Sequence, residues 1–228
     1  MKKILLKISG ELFSDLKQSI NLKKVADVAH HIAAVNRHGF KIGVVVGGGN
    51  IFRGRQIRKR EIQEVTGHYM GMVATIINCL ALRDALLKIK CPAKIISALP
   101  LKVAGMETKL SRANLSSKDL IIFAGGTGKP YVTTDTAAVK RALEMKADIL
   151  LKGTKVDGIY NTDPIKNKHA KKYSHLSHSQ YLKEKLQVMD NGAVALAQKN
   201  NLPIYVFRWQ NGDFLKVVSG HGQGSLIQ

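Results

Sequence analysis

The sequence predicts an α/β fold with a parallel sheet, and three observations carry that prediction. Apolar, β-branched runs alternate with helix-period runs, beginning with a β-α-β unit over residues 4–46. Several apolar runs end in glycine turns: Ser9-Gly10, Gly47-Gly48-Gly49 and Gly125-Gly126-Thr127-Gly128. With 228 residues, 45% of them hydrophobic, the chain can bury a substantial core.

Ile4–Ile8 is a short strand, interrupted in character by Lys7 and ended by Ser9-Gly10. Asn21 is a good N-cap. Leu22, Val25, Ala29, Ile32, Ala33 and Val35 then share one helical face, and Gly39 closes the helix. Residues 40–46 form a second strand that runs into Gly47-Gly48-Gly49-Asn50-Ile51-Phe52-Arg53-Gly54. Residues without Cβ atoms let the backbone turn sharply and approach a ligand. Backbone N–H groups presented there, with an arginine fork close behind, suit phosphate oxygens. The plain alternative is a tight strand-to-helix turn.

From Thr66 to about Lys90 the pattern is helical, with Met70, Val73, Ile76, Ile77, Leu80 and Leu87 as its apolar stripe. Ala93–Leu99 is a strand ended by Pro100, residues 101–118 hold a short helix and a polar turn, and Asp119–Ala124 is the next strand. Thr133-Thr134-Asp135 precedes an amphipathic helix over about 136–145, with Asp135 as its default cap. Asp148–Lys152 is a strand leading into a polar loop with Asp157-Gly158, Tyr160 and Asp163. An aromatic face and a carboxylate there can hold a purine ring and a ribose hydroxyl; the alternative is a loop tied down by one tyrosine. A helix near 177–185, a second one capped by Asp190, and the strand Ile204–Phe207 follow. Asn211-Gly212 reads as a hairpin turn before a last short strand.

Cys79 and Cys91 make neither a disulfide framework nor a zinc site, which points to a reducing, cytoplasmic compartment. The basic start imitates a secretory leader, but Lys7 cuts its apolar run short. No other stretch reads as approaching the ~18 apolar residues a membrane span needs. Net charge is +20, from 36 Lys and Arg against 16 Asp and Glu, which favours anionic partners. One cluster is Arg53, Arg55, Arg58, Lys59 and Arg60; another is Lys166, Lys168, Lys171 and Lys172. No aromatic residues interleave with either, so a solvated lysine-biased surface is preferred over a nucleic-acid groove.

Several catalytic patterns are absent. Gly128-Lys129 is followed by Pro130 and preceded five residues earlier by Phe123, so there is no Walker A loop. No G-x-G-x-x-G follows the first strand, and neither a nucleophile elbow nor a metal-ligand set is present. What remains is a row of strand ends carrying glycines and lysines: Lys7-Ser9-Gly10, Gly47–Gly49, Gly125–Gly128 and Lys152-Gly153. Gathered at one edge of a parallel sheet, they suit phosphoryl transfer, which needs positioning and charge rather than covalent chemistry.

The residues that carry a family likeness are Leu6-Lys7-Ile8-Ser9-Gly10-Glu11, the run Val46–Gly54, Met70-Gly71-Met72, Gly126-Thr127-Gly128, Thr133-Thr134-Asp135, and Lys152-Gly153-Thr154-Lys155-Val156-Asp157-Gly158. In this order, through Val188-Met189-Asp190, the chain resembles the bacterial UMP kinases, or uridylate kinases, of the amino acid kinase family. The resemblance implies a three-layer α/β/α sandwich around a mainly parallel central sheet. It also implies one amino acid kinase domain over residues 1–228, its N-terminal part binding the acceptor and its C-terminal part binding ATP. The reaction implied is ATP + UMP → ADP + UDP with Mg²⁺, in pyrimidine nucleotide biosynthesis. Lys7, Asp135 and Lys152 would be catalytic. Lys7, Ile8, Ser9, Gly10, Gly49, Arg53, Thr154, Tyr160 and Asp163 would contact ATP. Gly48, His68, Thr127, Gly128, Lys129, Pro130, Tyr131, Val132, Thr133 and Thr134 would bind UMP. A homohexamer activated by GTP and inhibited by UTP is the implied assembly.

Two departures stand out. The family usually reads Gly-Asp-His-Met-Gly-Met, with the Asp contacting UMP, where this chain has Gly67-His68-Tyr69-Met70-Gly71-Met72. The usual Phe-Gly-Ile-Asp before the first helix is here Gln18-Ser19-Ile20-Asn21. The alternative reading that His68 motivates is a nucleotide-binding regulatory protein of the same fold with weak or altered catalysis.

Overall fold

A computed structural model of the chain describes residues 2–53, 62–103, 105–164, 166–210 and 213–228. Arg55, Arg58, Lys59 and Arg60 of the first basic cluster, and the Asn211-Gly212 turn, lie outside the described residues. The strands are β1 (Lys3–Ile8), β2 (Lys41–Val46), β3 (Ala93–Ser97), β4 (Met106–Glu107), β5 (Leu120–Ala124), β6 (Ile149–Thr154), β7 (Ile159–Tyr160), β8 (Lys172–Tyr173), β9 (His175–Leu176), β10 (Ile204–Arg208) and β11 (Gly224–Ile227). The helices are α1 (Leu22–Arg37), α2 (Glu64–Lys88), α3 (Arg112–Ser116), α4 (Thr134–Glu144), α5 (His178–Lys183), α6 (Asn191–Lys199) and α7 (Asp213–Val218).

Among the described residues one sheet has the order β4-β3-β5-β2-β1-β6-β10-β11-β9, and β7 pairs with β8. Within the large sheet only the β10–β11 pairing is antiparallel. β2 is buried at every position, which is why it reads as an unbroken apolar run. Side chains alternate between the two faces of β1. Ile4, Leu6 and Ile8 join Val25 and Ile32 of α1, Leu82 of α2 and Phe214 of α7. Leu5 joins Ala138 and Val139 of α4, Tyr181 of α5 and Val194 of α6. The sheet is thus sandwiched between two helical layers, as the resemblance implies.

Three sequence expectations change. In α2 the expected stripe lies mostly on the wrong face: Ile76 is buried, but Met70, Val73, Ile77 and Leu87 are each more than 40% exposed. The helix is apolar nearly all round, so periodicity does not choose a face. Polar tethers choose it instead: Asn78 Nδ2 donates to the Gly47 carbonyl (2.7 Å), and Thr75 Oγ1 accepts from the Gly125 N–H (2.9 Å). Leu22, at the start of α1, is likewise exposed. Second, α2 is long and apolar enough to cross a membrane by length and composition, with 25 residues and a mean hydropathy of 1.5 over its most apolar 18. Its inner face packs in the core beside α1, β3 and β5. Third, Asp135 does not cap α4; Thr133 does, accepting from the Thr136 N–H at 3.1 Å.

At the opposite end of β2, Lys41 is fully buried, and its ammonium donates to the carbonyls of Asn114, Ser117 and Asp119, each at 2.7 Å. Burial pulls its pKa down to about 8, with Asp119 opposing. Lys41→Met would leave these acceptors dry, so we expect a loss of about 3 kcal/mol in unfolding free energy. Urea denaturation would read this as a lower midpoint at unchanged slope; an unmoved midpoint would contradict it.

Candidate active site

Lys7 on β1 and Lys152 on β6 are direct register partners. By the strand alternation both project to the face carrying α4. Asp135 lies in the first turn of α4, where the positive helix end favours a carboxylate. Its Oδ1 is 2.9 Å from Lys7 Nζ and its Oδ2 is 2.6 Å from Lys152 Nζ. Lys152 also donates to the Val188 carbonyl at 2.6 Å, and the Asp190 N–H donates to Asp135 Oδ2 at 3.3 Å. Burial pulls the Lys152 pKa down to about 8; Lys7 pushes the same way and Asp135 resists. For Asp135, burial raises the pKa, but the two lysines outweigh it and hold the carboxyl below its ordinary value. β1 connects to β2 through α1 on one face, and β6 connects to β10 through α5 and α6 on the other. The lysine pair therefore stands at a topological switch point, where α/β sheets bind ligands.

The glycines beside this cluster divide by cause. A Cβ on Gly10 would collide with Asn50 Oδ1 and the Gly47 carbonyl, and one on Gly48 would sit 2.8 Å from the Gly71 carbonyl. Those positions need glycine for packing. Gly71 faces open space, and a Cβ on Gly49 would meet only the Arg53 side chain, at 3.9 Å. They leave room for a ligand. Arg53 Nε donates to the Gly49 carbonyl at 2.8 Å. Ser9 Oγ caps the following turn by accepting from the Glu11 N–H at 3.3 Å. Ile8 buries its side chain in the core, and its carbonyl accepts from the Gly47 N–H at 3.0 Å.

A cavity of about 970 Å³ opens on one side, lined by Gly48, Gly49, His68, Gly71, Met72, Gly126, Tyr131, Val132, Thr133 and Thr134. The His68 ring packs against Tyr131 at a tilt of 59°, with ring centroids 4.6 Å apart. His68 Nε2 is buried without a hydrogen bond and lies 3.9 Å from Glu64 Oε1. Tyr131 sits at φ +63°, a left-handed backbone that side chains resist, reached through the turn of Thr127, Gly128, Lys129 and Pro130. Those four residues deliver Tyr131 and do not line the cavity themselves.

A second cavity of about 410 Å³ is lined by Val156, Gly158, Tyr160, Asp163, Pro164, Leu186 and Val188, among others. Tyr160 donates its hydroxyl to Asp157 Oδ1 at 2.8 Å. Thr154 closes its own loop on the Val156 carbonyl at 2.8 Å and is not in the cavity wall. The charge cluster links the two cavities. Thr134 in the first wall adjoins Asp135, and Val188 in the second wall holds Lys152.

Sequence reasoning missed three participants. Glu11 and Lys155 form an ion pair that also includes Arg53. Asp190 caps α6 as expected, accepting from the Ala193 N–H at 2.7 Å, and it also accepts from the Thr133 hydroxyl. Glu11 and Lys155 carry no local pattern; the strand order brings them to the site.

Residues 2–208 match the amino acid kinase family. A uridylate kinase of Legionella pneumophila (strain Corby) is 43% identical over 230 residues, spanning 99% of this chain and 94% of that protein. The crystal structure of UMP kinase from Bacillus anthracis superposes with TM-score 0.95 at 35% identity, covering 100% of this chain and 96% of the other. That of UMP kinase from Ureaplasma parvum gives TM-score 0.93 at 33% identity, covering 100% and 98%.

Proposed function

The chain belongs to the amino acid kinase family, and from that premise we propose that it is a UMP kinase, a nucleoside monophosphate kinase that makes ADP and UDP from ATP and UMP. The observation that carries this reading is the Lys7–Asp135–Lys152 cluster between two cavities, in a chain matched over its whole length by uridylate kinases. The larger cavity, formed by the N-terminal part, Gly126 and the segment Tyr131–Thr134, takes UMP. The smaller one, formed by the C-terminal part, takes the adenosine of ATP against Tyr160 and Asp163. An oxygen of the UMP phosphate attacks the γ-phosphorus. The bond to the β,γ-bridging oxygen breaks, and ADP leaves with that electron pair. Lys7 and Lys152 offset the charge of the transferring group, and Asp135 fixes the two ammoniums.

Among the described residues no trio of His, Cys, Asp or Glu gathers into a metal cage. Mg²⁺ would enter with ATP, held by the substrate phosphates, since both Asp135 oxygens face the Lys7 and Lys152 ammoniums. Bound with ATP, Mg²⁺ supplies further positive charge to the phosphates. A cytoplasmic homohexamer, activated by GTP and inhibited by UTP, completes the reading; the exposed apolar face of α2 (Met70, Val73, Ile77) supports assembly.

An ADP-release assay with ATP, Mg²⁺ and a panel of UMP, CMP, dUMP, carbamate and N-acetylglutamate tests the reading. Turnover led by UMP is expected; UMP binding without turnover would favour the regulatory alternative. His68→Asp restores the carboxylate usual in the family. We expect it to lower the KM for UMP roughly tenfold, the worth of a charged hydrogen bond. An unchanged or raised KM would show that His68 serves this pocket in its own right.

A further inference from the structure

Glu11, Arg53 and Lys155 follow the carboxyl ends of three adjacent strands, β1, β2 and β6. Glu11 stands four residues beyond Lys7, Arg53 four beyond Gly49 and Lys155 three beyond Lys152. One oxygen of the Glu11 carboxylate contacts an Arg53 guanidinium nitrogen, and the other contacts the Lys155 ammonium. The carboxylate thus spans two loops at the mouth of the phosphate cradle.

It is an odd group to find there, because it repels the anions the site is built for. Arg53 does not need it for placement, since its Nε is already held by the Gly49 carbonyl. Lys155 has a side chain that is 77% exposed, on a long stem able to change partner. A carboxylate and a phosphate present the same pair of anionic oxygens to such cations.

We propose that Lys155 is a donor-phosphate ligand and that Glu11 is a placeholder, holding Lys155 and Arg53 until the phosphates of ATP take both cations from it. Lys155, mainly, and Arg53 keep the Glu11 carboxyl below its ordinary value, so the placeholder is anionic at neutral pH. The inference rests on the kinase reading and adds a residue to its donor side.

Calorimetric titration of ATP into the whole chain without UMP tests it. Glu11→Gln keeps the shape and removes the competing charge, and should tighten ATP binding about fivefold. Lys155→Met should weaken ATP binding about tenfold, with the KM for UMP within about twofold of wild type. Lys155→Arg should retain wild-type ATP affinity. Weaker ATP binding in Glu11→Gln would make Glu11 a positioning residue and overturn the placeholder. Unchanged binding in Lys155→Met, beside a wild type that binds ATP, would overturn this inference alone. A wild type that binds no ATP would overturn the kinase reading, and this inference with it.

Discussion

Lys7→Met should lower the turnover of UMP phosphorylation about 10²–10³-fold, the usual cost of removing one preorganised donor from a site of developing charge. Lys7 sits at the end of a central strand, paired on both sides by β2 and β6, so its ammonium is held where the strand holds it. Its partner Asp135 is 2.9 Å away, and Lys152 occupies the neighbouring register position. Methionine keeps the stem and the packing but removes the charge. The variant should therefore melt cooperatively and bind ATP, while ADP release in the presence of UMP collapses. A turnover within about threefold of wild type would remove Lys7 from the chemistry.

Asp135→Asn should lower turnover by a comparable factor, about 10²-fold, through a different route. The carboxylate is the group that resists the fall of the Lys152 pKa, which burial and then Lys7 pull down to about 8. The charged ammonium is the useful form, so wild-type turnover should be full at neutral pH and decline as pH rises through about 8. Without the anion, Lys152 gives up its proton more easily, and the alkaline limb of the pH–rate profile should move to lower pH. A profile of reduced height but unmoved limb would assign Asp135 a purely structural part. Stability follows the opposite sense. Between about 8 and the ordinary 10.5 the unfolded chain binds more protons than Lys152 does in the fold, so this group's share of stability rises with pH. Asp135, held below 3.8, contributes stability above that value that is lost as pH falls through its depressed pKa.

Much of this was legible in the sequence. The alternation of apolar strands and amphipathic helices is local, and so are the caps Asn21 and Asp190 and the glycine turns. Each appears where the pattern places it. The face of α2 was not legible, because a helix apolar on most sides is oriented by what it meets: here the backbone of two glycine turns, satisfied by Thr75 and Asn78. The short α7 escaped as well, hidden beside a turn signal. At the site, Lys7 and Lys152 could be singled out by their place at strand ends beside glycines, yet their pairing needed the strand order β2-β1-β6. Asp135 read as a cap by default, since sequence shows its position in a helix start but not the two ammoniums facing it. Glu11 and Lys155 carry no signal of their own; they meet because strands far apart in sequence lie side by side.

The central claim is direct transfer from ATP to UMP at the two lysines. A single-turnover reaction with ATP labelled in its γ-phosphate, quenched over time with enzyme in excess, tests it most directly. Label should pass straight into UDP, UDP and ADP should appear at one rate, and no labelled protein should form at any time. Label held on the chain before it reaches UDP, or ADP formed with no labelled UDP, would contradict it.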